Sequence, residues 1–192
     1  VYSKDGSLSY FIKRFDRYGR DKKYHVEDFA QLTGNTRDTK YNWTMEKLIP
    51  AIENYCTFPL LEKRKLFRRV LFCFLTGNED MHLKNFSLIT RKNKIELSPA
   101  YDLLNSTISM DRTVEEMALP IAGNKRSINK TDLFEYYGED RLKLSGKTIL
   151  SEIQNLVDKK DGLERMIKIS FLSKAMKAKY TELIMERYRR LA

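Results

Sequence analysis

Residues 59–77, PLLEKRKLFRRVLFCFLTG, constrain the fold more than any other stretch of the chain. Proline is tolerated in a first helical turn and glycine ends a helix. Between them Leu60, Leu61, Phe67, Val70, Leu71, Phe74 and Leu75 supply an apolar helical face. The last two turns, VLFCFL, are apolar on every side. A helix end without a polar face has to be surrounded by protein, so this segment is expected at the centre of a helical body. The next residues are of the opposite kind: GNEDMHLKNFS, residues 77–87, sets an Asp, a His, a Lys and an Asn within six positions.

Around this helix the other elements can be read. Residues 8–15 alternate loosely and are rich in aromatic and β-branched side chains, which predicts a strand. Residues 16–24 are charged and predict a loop, VEDFAQL (26–32) a short helix ended by Gly34, and residues 35–43 a polar loop. Thr44 is placed to cap a helix that runs to about Tyr55. FSLIT and KIELS flank the turn signal RKNK and predict a β-hairpin over 86–98. Residues 103–116 carry no clear pattern, and MALPI (117–121) reads as a strand followed by the turn AGNKR. Helices are expected over 131–141, 145–159 and 161–168, with a long one from Ser170 to about Arg190. The sum is a mainly α fold with a few short strands.

At 192 residues the chain suits one domain, or one large lobe of a bigger protein. Its formal charge of +10 favours anionic partners without choosing among nucleotides, nucleic acid, acidic proteins or anionic lipid. Cys56 and Cys73 lie among apolar residues at no zinc spacing and read as buried thiols in a reducing compartment. Two histidines exclude a histidine-rich metal site. No apolar run approaches the ~20 residues of a membrane span, and no secretory signal opens the chain, so a cytoplasmic protein without membrane contact is expected. The start, VYSKDGS, lacks an initiator Met and suggests a chain cut from something longer.

The polar loop gains meaning from the hairpin after it. A hairpin returns the chain to where it left, and antiparallel neighbours lie roughly 5 Å apart. Asn85, before the hairpin, and Asp102, just after it, are therefore expected to be near each other, with Asp80 at the same mouth. Two carboxylates and a carboxamide are hard oxygen donors of the kind that Mg²⁺ takes together with substrate phosphates. D-x-x-x-x-N, then a hairpin, then a further Asp is also the order of a kinase catalytic loop and metal site. The plain structural alternative for Asp80 and Asn85 is a cap and a turn after the helix.

TGNEDMHLKNFSLI followed by LSPAYDLLNS resembles the signature of the HipA family, bacterial serine/threonine kinases that act as toxins in toxin–antitoxin modules. FIKRFDR resembles that family's hinge strand and VEDFAQL the helix after it, so the likeness covers most of residues 8–110. The resemblance implies the C-terminal, helical lobe of a kinase-like fold, starting at the hinge strand. It implies a hinge strand and loop over 1–24 and the lobe over 25–192, with the catalytic loop at 77–87, the metal-Asp segment at 98–106 and a helical bundle from 131. It implies ATP and Mg²⁺ as cofactors, with Asp80 as catalytic base and Asn85 and Asp102 as metal ligands. His82 would approach the phosphates or stabilise the loop, Lys84 offset phosphate charge and Tyr101 pack near the nucleotide. Lys13 and Phe15 would offer backbone groups to adenine, and Asp16 would face the ribose.

As partners the resemblance implies a protein substrate, an aminoacyl-tRNA synthetase being among the family's targets. It also implies a small helix-turn-helix antitoxin, with DNA reached only indirectly through that antitoxin. The histidine follows Asp80, whereas general protein kinases place it before, which favours the HipA branch. The family's phosphate-covering loop, phosphate-binding lysine and regulatory serine belong upstream of the hinge, where this chain has few residues. An isolated lobe of this kind is expected to show little or no phosphotransfer. Two other readings share the same residues: a small-molecule phosphotransferase of aminoglycoside type, and a non-catalytic kinase-like binding lobe.

Overall fold

The computed structural model describes residues 2–109 and 115–191 and opens on a segment with little regular structure. Tyr2 makes a single bridge to Leu8, and residues 9–14 form no regular element. Tyr10, Phe11 and Ile12 are 86%, 75% and 70% exposed. The strand expected over 8–15 is thus absent: composition supplies the propensity, but a strand exists only when a neighbour takes up its backbone groups. Part of the predicted loop is instead a small hairpin. Strands β1 (Arg17–Tyr18) and β2 (Lys22–Lys23) pair antiparallel across Gly19, whose φ of +60° suits a residue without Cβ. Tyr18 stacks on Tyr24 with ring centroids 4.3 Å apart.

VEDFAQL splits in two rather than forming one helix. Its first half belongs to β3 (His25–Asp28) and its second is the single turn α1 (Phe29–Leu32). The switch falls at Asp28, whose carboxylate accepts from the Gln31 amide at 2.8 Å while Gln31 Oε1 accepts from the Asp28 amide at 3.0 Å. That reciprocal capping box starts the helix there and frees residues 25–28 for the sheet. Helix α2 (Leu48–Tyr55) begins later than the Thr44 cap suggested. Residues 44–49 first make a tighter turn, with the amides of Lys47, Leu48 and Ile49 on the carbonyls three positions back.

Helix α3 (Pro59–Thr76) has the predicted bounds, with Pro59 in its first turn and Gly77 left-handed at φ +68°. Leu66, Phe67, Leu71 and Phe74 are 0% exposed, each contributing about 1.5–3 kcal/mol by leaving water. Leu60 and Leu61 depart from the predicted face: they lie at 64% and 57% exposure at the helix start. A Cβ on Gly77 would meet Leu183 at 2.6 Å and Thr107 Oγ1 at 2.8 Å, so close packing fixes this glycine as firmly as its φ does.

The predicted hairpin is β4 (Ser87–Arg91) and β5 (Lys94–Leu97), closed by Lys92 and Asn93 at φ +48° and +60°. Two positive-φ residues match the twist of the flanking strands. The three-stranded sheet runs β3–β4–β5, all antiparallel. Of the unpatterned stretch 103–116, a short 3₁₀ turn occupies Thr107–Ser109 and residues 110–114 lie outside the described residues. MALPI is not a strand. Met117, Leu119 and Ile121 do point inward, but the Pro120 carbonyl is taken by the Met45 amide, and a lone Ile121–Asn124 bridge closes the following turn.

Thr131–Arg141 is helical but π-wound, a winding that hydrophobic spacing does not announce. Helices α4 (Gly146–Val157), α5 (Lys160–Ile169) and α6 (Lys174–Leu191) complete the body. The long last helix starts four residues later than expected, because Ser170 is extended and the Ser173 hydroxyl accepts from the Met176 amide at 3.3 Å. α2, α4 and α6 all pack on α3. Arg187 and Arg190 lie over the Phe74 ring at 4.5 and 5.2 Å, and both pair with Glu116. The all-apolar end of α3 is therefore wrapped, and the polar loop leaves it from a rigid base.

Candidate active site

Gly77 turns the chain out of α3, and Asn78 then anchors the polar loop. Asn78 is 1% exposed. Its Oδ1 accepts from the Asp80 amide at 3.2 Å, and its Nδ2 donates to the Asp102 carbonyl at 3.0 Å. One buried side chain thus ties the Asp80 loop to the segment beyond the hairpin. Asn85, 5% exposed, donates from Nδ2 to the Asp80 carbonyl at 2.7 Å. That bond fixes which way the amide faces and leaves Oδ1 as the pole that can meet a cation.

The hairpin closes the ring. The Ser98 amide donates to the Ser87 carbonyl at 2.8 Å. Tyr101 then reaches back across the hairpin base, its hydroxyl donating to the Lys84 carbonyl at 2.6 Å and lying 2.5 Å from Ser87 Oγ. Asp102 comes next and is exposed, with φ +53°. A left-handed aspartate is uncommon and persists only where its surroundings hold it. Here the Asn78 and Leu104 N–H groups share the Asp102 carbonyl. The carboxylate itself faces outward.

Asp80 is half-exposed, its side chain at 52%. The Tyr41 phenol donates to its Oδ1 at 2.5 Å, which leaves Oδ2 open. Burial, and then the bond to Asp80, push the Tyr41 phenol up to about 12, so it keeps its proton and remains a donor. His82 is 6% exposed, its Nε2 2.7 Å from the Lys40 ammonium and 3.9 Å from Asp80 Oδ1. Burial, and then the Lys40 charge, hold its pKa below the usual histidine value. It is therefore neutral near pH 7, accepts from Lys40 at Nε2 and carries its proton on Nδ1, which is buried without a partner.

The residues expected from the sequence fall into two groups. Asp80, His82, Asn85, Tyr101 and Asp102 share one hydrogen-bonded mouth. Lys84 joins it by its backbone, while its side chain points to solvent. The N-terminal group is looser. Phe15 stacks on Tyr101 with centroids 5.6 Å apart, and its carbonyl is already taken by Arg91 at 3.0 Å. Asp16 is paired with Arg14 at 2.7 Å, the bond that chiefly lowers its pKa. Lys13 is exposed on the stretch 9–14, which forms no regular element. Sequence reasoning missed Lys40, Tyr41 and Asn78. The first two sit in the polar stretch 35–43, where only the aromatics of KYNW set them apart from a solvated loop.

Among the described residues no three His, Cys, Asp or Glu side chains converge on a metal site. Asn85 and Asp102 offer oxygen donors of another kind, one amide oxygen and one exposed carboxylate. That set fits Mg²⁺, which commonly keeps waters and substrate phosphates as its remaining ligands. No helix of the described residues is long and apolar enough to cross a membrane.

The likeness to known proteins is broad. The chain is 36% identical over 154 residues to the Sinorhizobium fredii protein named "Putative kinase Y4dM", covering 77% of this chain and 36% of that protein. It is 28% identical over 200 residues to a Haemophilus influenzae protein named "Putative kinase", covering 86% of this chain and 54% of the relative. The chain thus spans between about a third and about half the length of these relatives. Among solved structures, HipA in the Shewanella oneidensis complex of HipA, HipB and operator DNA matches with a TM-score of 0.78 at 22% identity, over 93% of this chain and 47% of that one. The Helicobacter pylori proinflammatory kinase CtkA matches with a TM-score of 0.59 at 17% identity, over 87% of this chain and 68% of that one. The fold is that of a kinase-like C-terminal lobe. The model of the HipA-like C-terminal domain matches residues 1–162, and the chain belongs to that family.

Proposed function

We propose that this chain is the catalytic lobe of an ATP- and Mg²⁺-dependent kinase of HipA type that phosphorylates serine or threonine in a protein. The observation that carries the reading is the Asn78 bridge: one buried amide holds the loop of Asp80 and the segment of Asp102 in a single frame. A cap-and-turn role for the loop would not need the second bond. Family membership and relatives named as kinases support the same reading.

In this reading Asp80 Oδ2 accepts the proton of the acceptor hydroxyl, while Tyr41 holds Oδ1 and fixes the plane of the carboxylate. Asn85 Oδ1 and Asp102 would hold Mg²⁺, which when bound offsets charge on the phosphate oxygens. Lys40, held by neutral His82, adds a cation at the mouth. Tyr101 and Phe15 form an apolar stack at its edge. The upstream phosphate clamp of the family would complete the site. We assign the protein to the cytoplasm and to a toxin–antitoxin module, with a small DNA-binding antitoxin as partner. The HipA, HipB and operator DNA complex supports that partner, and the +10 charge suits a complex that sits near DNA.

The test is phosphate transfer from labelled ATP to protein serine, using the chain joined to an upstream lobe. The reading expects transfer that Asp80→Asn lowers by about 10²–10⁴-fold, the usual worth of a positioned base. Equal rates in wild type and variant would refute it.

A further inference from the structure

A cavity of about 630 Å³ opens beside the hairpin base, between α3, β5 and α4. None of Asp80, His82, Asn85, Tyr101 or Asp102 lines it, although Pro99, Ala100 and Leu103 do. Its walls combine two chemistries. Phe72, Leu97, Pro99, Leu103 and Leu156 are apolar. Lys65, Arg68, Arg69, Arg91 and Lys159 bring five cations against the two carboxylates Glu96 and Glu152.

Those carboxylates are already engaged. Glu152 holds Arg64 and, at 2.5 and 2.9 Å, Arg68. Glu96 lies 3.5 Å from Lys65 and 3.7 Å from Arg91. Arg69 is different. It is 8% exposed, one guanidinium arm donates to the Ser98 carbonyl, and the other, Nη1, is buried with no hydrogen-bond partner. Burial alone pulls its pKa below the ordinary arginine value. Arg91, on the same wall, leaves Nε buried and unpartnered too. Buried guanidinium N–H groups without acceptors are costly and rare, and both arginines that carry them line this cavity.

We propose that this cavity binds an organic anion, a small molecule with an apolar body and a phosphate or carboxylate head that the guanidiniums of Arg69 and Arg91 receive. The volume lies within the range of small-molecule sites, and a mostly apolar lining with a few convergent polar groups is their usual make-up. The site is separate from the proposed nucleotide site. Arg69 grips the carbonyl of Ser98, four residues before Asp102.

Phenyl phosphate is a suitable probe, followed by the arginine side-chain N–H signals in NMR, with inorganic phosphate and phenol as the head and the body alone. Saturable binding of phenyl phosphate that moves the Arg69 signals is expected. Arg69→Met should weaken it by about tenfold or more, the worth of a charge-assisted hydrogen bond. Asn155→Trp, on the exposed face of α4 at the cavity wall, should block it while keeping both guanidiniums. Asp102→Asn should leave it unchanged, which separates this cavity from the nucleotide site. Phosphate that binds as tightly as phenyl phosphate would reduce the site to a bare anion contact and overturn the organic ligand. Binding unaffected by Asn155→Trp, or no saturable binding at all, would overturn the site.

Discussion

The loop at 77–87 and the segment at 8–16 carry the two halves of the candidate site, and they are built in opposite ways. The loop is tied from inside: Asn78, His82 and Asn85 are each under a tenth exposed, and their side chains bridge Asp80, Lys40 and Asp102. The N-terminal segment holds apolar residues in solvent, and through residues 9–14 it forms no strand or helix. Its firm contact with the site is Phe15, on Tyr101 and under Arg91. One half is preorganised by its own lobe; the other is shaped only where it touches that lobe. Preorganised donors and carboxylates cost no rearrangement during a reaction, which suits the half that carries the charges.

The contrast can be broken or sharpened by substitution. The largest effect belongs to Asp80→Asn, with phosphate transfer lowered by about 10²–10⁴-fold and little change in melting temperature, since the side chain is half-exposed. Asn78→Leu strikes the bridge. It should cost about 1–3 kcal/mol of stability by leaving the Asp80 amide without its acceptor and the Asp102 carbonyl with the Leu104 N–H alone, readable as a melting point lowered by several degrees. The same variant should weaken Mg²⁺-dependent nucleotide binding although it removes no ligand. If it is as stable as wild type, the loop is not held as described.

His82 gives a smaller, pH-dependent effect. Its folded pKa is depressed, so across the window just below 6.5 the unfolded chain binds more protons than the folded one. The stability that neutral His82 contributes is present above that window and is lost as pH falls through the folded pKa. His82→Gln should remove that component of the slope in denaturant melts between neutral and mildly acidic pH. Least of all should come from Phe11→Ser, a solvent-exposed change expected within about 0.5 kcal/mol of wild type. A large loss there would mean that the segment is packed after all.

The same division decides how much was legible in the sequence. Helix α3 could be read because Pro59, the apolar period and Gly77 all agree, and the β4–β5 hairpin because Lys92 and Asn93 sit between two β-rich runs. Local chemistry determines both. Residues 8–15 misled because their composition is that of a strand, whereas strand formation depends on a neighbour. VEDFAQL misled because a capping box in its middle outweighs its helical composition, and the open edge of β4 takes the rest. Within the site, Asp80, Asn85 and Asp102 stood out through their spacing around a hairpin. Lys40, Tyr41 and Asn78 did not, since their roles come from contacts made across 24 to 42 positions.

The most direct test of the central claim is a calorimetric titration of this chain with ATP, with and without Mg²⁺, beside Asp102→Asn. If the tied loop already forms a nucleotide–metal site, binding depends on Mg²⁺ and is lost in the variant. Tight binding indifferent to both Mg²⁺ and Asp102 would contradict it, and would place the nucleotide somewhere other than the mouth that Asp80, Asn85 and Asp102 share.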